Sequence, residues 1–214
     1  MKALPRLSAD HRREQLIDVA IELFSRKGFN GTTTREIALT AGVTEAVIFR
    51  HFATKEQLYT AIIDRKIKSP ALEGWISGLR AAMDENDDEA VVRRLIHAII
   101  ATHQTDPNFE RLMLYAALER NEIALLYMRQ VTECIITEFR TYFARRQKQG
   151  VFAKMPPDAA LTAVVGMAFH YSQKIYIHGI HDSRFTGEEA QEAFTRIALS
   201  GLRKKSNSHK EKKR

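Results

Sequence analysis

Two helix-start signatures flank a single glycine between residues 33 and 57. Thr33-Thr34-Arg35-Glu36 and Thr54-Lys55-Glu56-Gln57 both have the capping-box pattern, a threonine followed by Glu or Gln one turn on. Gly42 stands between them, in Thr40-Ala41-Gly42-Val43. A helix opened at Thr33, with Ile37 and Ala38 turned inward, must therefore stop early. Glycine accepts positive φ without a Cβ penalty, so the chain can reverse sharply there. A third helix then runs from Thr44 to about His51, with Val47 and Ile48 inward and Phe52 closing its end. The fourth, from Thr54 to about Lys68, carries Leu58, Ala61 and Ile62. Upstream, Ser8 or Asp10 can cap a first helix. Its apolar face is Leu16, Ala20, Leu23 and Phe24, with Ile17 and Ile21 beside it, and it ends at Lys27-Gly28. Two short helices on a tight glycine turn, packed on a longer one, make a helix-turn-helix. Periodicity and caps alone leave a generic helical bundle equally open.

Beyond Lys68 nearly every segment also has helical period, and no clean alternating stretch is bounded by hairpin turns. Helices are expected over residues 71–83, 90–103, 109–120, 122–149, 157–178 and 188–202. Breaks fall at Ser69-Pro70, Asp106-Pro107, Gly150 and Pro156-Pro157. The expectation is an all-α chain of about nine helices. Its parts are an N-terminal helix-turn-helix domain (1–53), a connecting helix (54–68), a larger helical domain (69–202) and a disordered basic tail (203–214).

Charge is unevenly placed. Residues 1–68 hold 12 Lys/Arg against 8 Asp/Glu, and residues 203–214 hold 7 against 1. The middle holds 14 against 17. A polyanion would be drawn to the N-terminal segment, and the tail serves either nonspecific DNA affinity or solubility. The single cysteine, Cys134, allows no disulfide within one chain and fits a reducing compartment, hence a cytoplasmic location. Residues 1–10 have no apolar core of a signal peptide, and no apolar run is long enough to span a membrane. Neither H-E-x-x-H nor C-x-x-C occurs, nor a glycine-rich phosphate loop or G-x-S-x-G. No metal, cofactor or catalytic residue is therefore expected.

The run Gly31-Thr32-Thr33-Thr34-Arg35-Glu36-Ile37-Ala38, then Ala41-Gly42-Val43, Phe49-Arg50-His51-Phe52 and Thr54-Lys55-Glu56-Gln57-Leu58, closely resembles the tetracycline-repressor (TetR) family. The resemblance covers about residues 10–60. Several elements recur in order, including a first helix ending in Gly-Phe and an aromatic-x-His-Phe closing the recognition helix. It implies a sequence-specific DNA-binding transcriptional regulator, by family habit a repressor, acting as a homodimer on a palindromic operator. At the start of the third helix, Thr44, Glu45 and Ala46 can reach base edges in the major groove. Val47 suits either a thymine methyl or the core, and Arg50 either guanine or phosphate. Thr33, at a helix N-terminus, suits a phosphate, and His51 and Lys55 are phosphate candidates by analogy. The family often has tyrosine at the position of Phe49, so a phenolic phosphate contact is missing. It often has glycine where Ala46 stands, which points to a different base preference or to reading by shape.

For residues 69–202 the resemblance implies a dimer interface from the last two long helices and an effector pocket between the preceding ones. The segment 158–176 is apolar on more than one face and so must be buried. Leu161, Val165 and Phe169, with Phe194 and Ile197, are the expected dimer contacts in a two-fold four-helix bundle. Core packing within one chain is the alternative. Pocket candidates are Trp75, His103, Phe109, Met113, Tyr115, Tyr127, Met128, Gln130, Cys134 and Tyr142. Met and Tyr lining favours a small apolar or aromatic effector with a few polar handles. An enzyme and a nonspecific nucleoid-type binder are the competing classes. The latter predicts equal affinity for every duplex, with steep salt dependence.

Overall fold

In the computed structural model, residues 8–181 and 184–204 are described, without the side chains of residues 127, 128 and 130–132. The described residues form ten α-helices, in line with the expected all-α chain: α1 (Ala9–Lys27), α2 (Thr34–Thr40), α3 (Glu45–His51), α4 (Lys55–Ile67), α5 (Pro70–Asp84), α6 (Asp88–Thr105), α7 (Pro107–Glu119), α8 (Glu122–Lys148), α9 (Pro157–Ser172) and α10 (Gly187–Leu202). A π-helical turn, Gln173–Ile177, continues α9. The one β-type pairing among the described residues is an isolated antiparallel bridge between Phe152 and Arg203.

The helix starts follow local chemistry. The hydroxyls of Ser8, Thr33 and Thr54 accept the amide hydrogens of His11, Glu36 and Gln57. The reciprocal half of the two expected capping boxes is not made. Glu36 turns instead to the Lys27 ammonium, and Gln57 accepts from the Ala53 amide rather than from Thr54. An ammonium within reach outcompetes a neutral amide for a carboxylate. The complete box is at α10, where Thr186 and Glu189 cap each other. Gly28 and Gly42, at φ +72° and +68°, form the exits of α1 and α2.

The contacts divide the chain into two compact units that do not follow its order. One comprises residues 1–72 and 106–130, the other 73–105 and 131–214. The segment after Asp106, read from sequence as part of a continuous 69–202 domain, thus groups with the N-terminal helices. In the first unit α1 packs on α2, α4 and α7. Its core includes Leu16, Ile17, Phe24, Ile37, Ile48, Phe52, Leu58, Tyr59, Ile62, Leu112 and Ala116, all buried. Phe24, Phe29 and Tyr59 form a ring cluster with centroids 5.2–5.7 Å apart.

In the second unit α6 packs on α9 and α10. Its core runs from Leu79 and Met83 through Val92, Leu95 and Ile96 to Phe139, Phe143, Val164 and Leu199. The buried carboxylate of Asp88, at the start of α6, is held by Arg146 of α8 through two 2.7 Å hydrogen bonds and by the Tyr142 hydroxyl. That satisfies a charge otherwise expensive to bury. The end of α10 is tied to the α8–α9 connection by Ala153 N–H to Leu202 O and Lys204 N–H to Val151 O, both 2.8 Å.

Candidate nucleic-acid interface

The helix-turn-helix is anchored from beneath. Ile48 and Phe52 fix one side of α3 in the core, and Ile37 and Ala38 do the same for α2. The turn between them is closed by Val43 N–H to Ala38 O at 2.9 Å, and Gln15 of α1 donates to Ala41 O at 3.3 Å. Those anchors leave the other side of α3 to solvent. Thr44, Ala46, Phe49 and Arg50 are exposed, and Glu45, Val47 and His51 are half-buried. Thr44 is the N-cap residue of α3 but makes no side-chain cap bond, so its hydroxyl is not spent on the helix. The Glu45 carboxylate accepts a hydrogen bond from Thr34 of α2, which sets its direction. Phe49 is 49% exposed, an apolar surface on a short polar helix.

Not every candidate faces outward. The Lys55 ammonium donates to Phe29 O at 2.9 Å and to Thr32 O at 3.0 Å, and lies 4.1 Å from the Phe29 ring centroid. Two of its three donors thus close the α1–α2 connection. The Thr33 oxygen accepts the Glu36 amide and keeps its own proton to donate. Two residues that were not candidates from sequence stand beside these. Arg35 is exposed on α2, and the Arg13 guanidinium lies 5.0 Å from the Phe52 ring centroid at the end of α3. Arg35 carried the ordinary signal of a cation one turn into a capped helix. Arg13 carried none, because its neighbour is distant in sequence.

The effector candidates are scattered between the units. Phe109 and Met113 are buried in the first. In the second, His103 is buried with its ring edge-on to Phe169, and the half-buried Trp75 donates to Arg94 O at 3.1 Å. Cys134 is exposed, and Tyr142 is engaged with Asp88. Tyr127, Met128 and Gln130 lie outside the described side chains, and most of the basic tail lies outside the described residues. Phe109 borders a small hollow of about 170 Å³, with Ile21, Ile62, Arg65 and Lys66. The larger cleft, about 530 Å³, belongs to the second unit and is lined by none of the expected residues. Its walls come from α6 (Arg93, His97, Ile100, Ala101, Gln104), from Tyr176 of the π turn and from the start of α10 (Gly187, Glu188, Gln191, Glu192). Among the dimer candidates Leu161 is buried, Val165 and Phe194 are half-buried, and Phe169 and Ile197 are 40% and 56% exposed. No helix among the described residues is long and apolar enough to cross a membrane.

Residues 16–62, which contain the helix-turn-helix, match the profile described as "Bacterial regulatory proteins, tetR family". The HTH-type transcriptional activator FasR of Mycolicibacterium smegmatis is 36% identical over 83 residues, 39% of this chain and 36% of FasR. The HTH-type transcriptional regulator RutR of Escherichia coli K12 is 24% identical over 161 residues, 75% of this chain and 74% of RutR. The fold extends the likeness past the matched segment. The structure of AibR in complex with isovaleryl coenzyme A and operator DNA superposes with a TM-score of 0.63 at 19% identity, covering 87% of this chain and 97% of that one. The glycine turn and the buried anchors of α3 thus lie in a domain of the tetR family of bacterial regulatory proteins, and the helices that follow share the fold of the AibR structure.

Proposed function

We propose that the protein is a homodimeric transcriptional repressor that reads a palindromic operator with α3 and is released from it by a small effector. The observation that carries the reading is the division of α3 into two sides. Ile48 and Phe52 hold it to the core while Thr44, Ala46, Phe49 and Arg50 are presented to solvent beside a correctly placed glycine turn. Among the described residues no ion pair engages Arg50, which leaves its guanidinium for guanine or phosphate. Phe49 in place of a phenol suits a thymine methyl rather than a phosphate. Glu45, aimed by Thr34, suits the amino group of cytosine. The excess of cations over residues 1–68 supports the encounter with DNA. The work is that of a cytoplasmic protein and includes no catalytic step.

Dimerisation is assigned to α9 and α10, where Phe169 and Ile197 expose apolar surface beside buried Leu161. The cleft of the second unit supports an effector with an apolar body and a polar end. Ile100, Ala101 and Tyr176 meet the first, and His97, Gln104 and Gln191 the second. AibR, whose structure holds an acyl-coenzyme A together with operator DNA, is a precedent for that pairing of ligands.

Selection from a random duplex pool at fixed, near-physiological salt tests the reading. A palindromic motif bound roughly 10³–10⁷ times tighter than random DNA is expected of a specific regulator. Equal affinity for all duplexes would overturn it in favour of a nonspecific binder. Because FasR carries the name of an activator, a reporter driven from the selected site decides the direction of control, and rising expression on removal of the protein is expected.

A further inference from the structure

The connection between α1 and α2, residues 28–33, leads directly into the helix-turn-helix, and α7 grips it. Both oxygens of the Glu119 carboxylate, in the last turn of α7, are used. One accepts the Phe29 amide at 2.9 Å and the other the Asn30 amide at 3.1 Å. One turn earlier the Tyr115 hydroxyl donates to Arg26 O at 2.9 Å, one of the carbonyls at the end of α1 that the helix itself leaves unsatisfied. From the other side Lys55 takes the Phe29 and Thr32 carbonyls. The residue Phe29 is therefore held by its N–H to an anion from α7 and by its C=O to a cation from α4. Its ring is stacked in the Phe24–Tyr59 cluster. Burial and then the negative charge of Glu119 push the Tyr59 phenol above its usual range, consistent with the carboxylate standing against that cluster. Gly28 completes the fit, since a Cβ there would come within 2.3 Å of a Glu119 oxygen.

In sequence, α7 lies inside a segment whose two flanks, before Asp106 and after Gln130, belong to the second unit. Within the first unit, α7 is the helix bonded to the backbone that enters α2. We infer that Tyr115 and Glu119 are positioning residues for operator binding. They hold the α1–α2 connection so that α2 and α3 present to DNA in the competent arrangement. This rests on the DNA-binding reading above.

The test uses the full-length Glu119→Gln and Tyr115→Phe variants on the operator recovered with the wild type. The carboxamide introduced by Glu119→Gln has one acceptor oxygen and one NH₂ group, and the latter cannot accept from an amide. Faster hydrogen exchange at Phe29 and Asn30 is expected in Glu119→Gln. Operator affinity should fall about tenfold, the scale of losing one charge-assisted bond, while binding to random duplex, carried by charge, stays unchanged. Tyr115→Phe, which removes only a hydroxyl, should show a smaller loss of the same kind and decides the matter if Glu119→Gln loses helix content. Unchanged operator affinity alongside faster exchange would overturn the proposal and leave Glu119 a structural tie. Unchanged exchange would also overturn it, by removing the bonds it is built on. If the wild type itself prefers no duplex sequence, the DNA-binding reading falls and this proposal with it. A wild-type motif with indifferent variants sinks this proposal alone.

Discussion

At the scale of single residues, the same side-chain chemistry serves shape in one place and stays exposed in another. Lys55 and Arg50 are both cations near the end of the recognition helix, yet Lys55 is committed to two backbone carbonyls and an aromatic face while Arg50 is exposed. Their substitutions should therefore differ in kind. Arg50→Ala is expected to weaken operator binding by about 1–3 kcal/mol and relax preference at one base pair if the contact is to guanine. Repeated site selection with the variant measures this, and a uniform loss across sequences would place Arg50 on a phosphate instead. Gly28, at φ +72° and ψ 177°, occupies a region essentially closed to other residues. Gly28→Ala should lower unfolding stability by about 1–3 kcal/mol in a denaturant titration, and it should also displace Glu119. No change would mean that the connection relaxes without cost.

At the scale of elements, α3 illustrates how a seven-residue helix can exist at all. So short a helix is unstable alone, and it persists because Ile48 and Phe52 are buried and the Gly42 turn delivers it to the core. In the second unit, the junction of α6 and α8 holds a buried ion pair, Asp88 with Arg146. Arg146→Ala would leave the Asp88 carboxylate buried without its cation, a situation that costs about 3–5 kcal/mol. Reversible unfolding of the variant should register a loss of that size, and a loss below about 1 kcal/mol, the value of an exposed pair, would show that Asp88 is readily hydrated. The exposed pair of Arg140 and Asp158 is the contrast. There the guanidinium holds the carboxyl below its usual range at the surface, where screening makes such pairs worth little.

At the scale of the molecule, the proposed reading of a palindromic operator needs two copies of α3 at a fixed spacing, so under that proposal DNA binding and dimerisation are one property. Phe169 and Ile197 are the large apolar side chains exposed on α9 and α10. A Phe169→Glu and Ile197→Glu double variant is expected to run as a monomer in light scattering, and to lose the palindromic motif while keeping weak nonspecific binding. A variant that stays dimeric would move the interface elsewhere.

What was legible in the sequence was whatever is encoded within a turn or two of chain. The threonine caps, the stop at Gly28, the reversal at Gly42, the inward faces of α1 to α4 and the all-α character depend on neighbours three or four residues away. The solvent-facing side of α3 followed from the same periodicity. Other features rest on partners distant along the chain, for which no local pattern exists. Among them are the diversion of Glu36 to Lys27, the capture of Lys55 by Phe29 and Thr32, and the grip of Glu119 on the α1–α2 connection. The grouping of α7 with the N-terminal helices is decided the same way, and so is the cleft among α6, the π turn and α10, lined by residues that read from sequence as ordinary helix surface. The sequence by itself determined where helices begin, end and turn, because backbone conformation and capping are local energies. Tertiary structure decided which charges are spent on holding the helices together and which remain exposed, because that choice is made by whichever partner the fold brings within hydrogen-bonding distance.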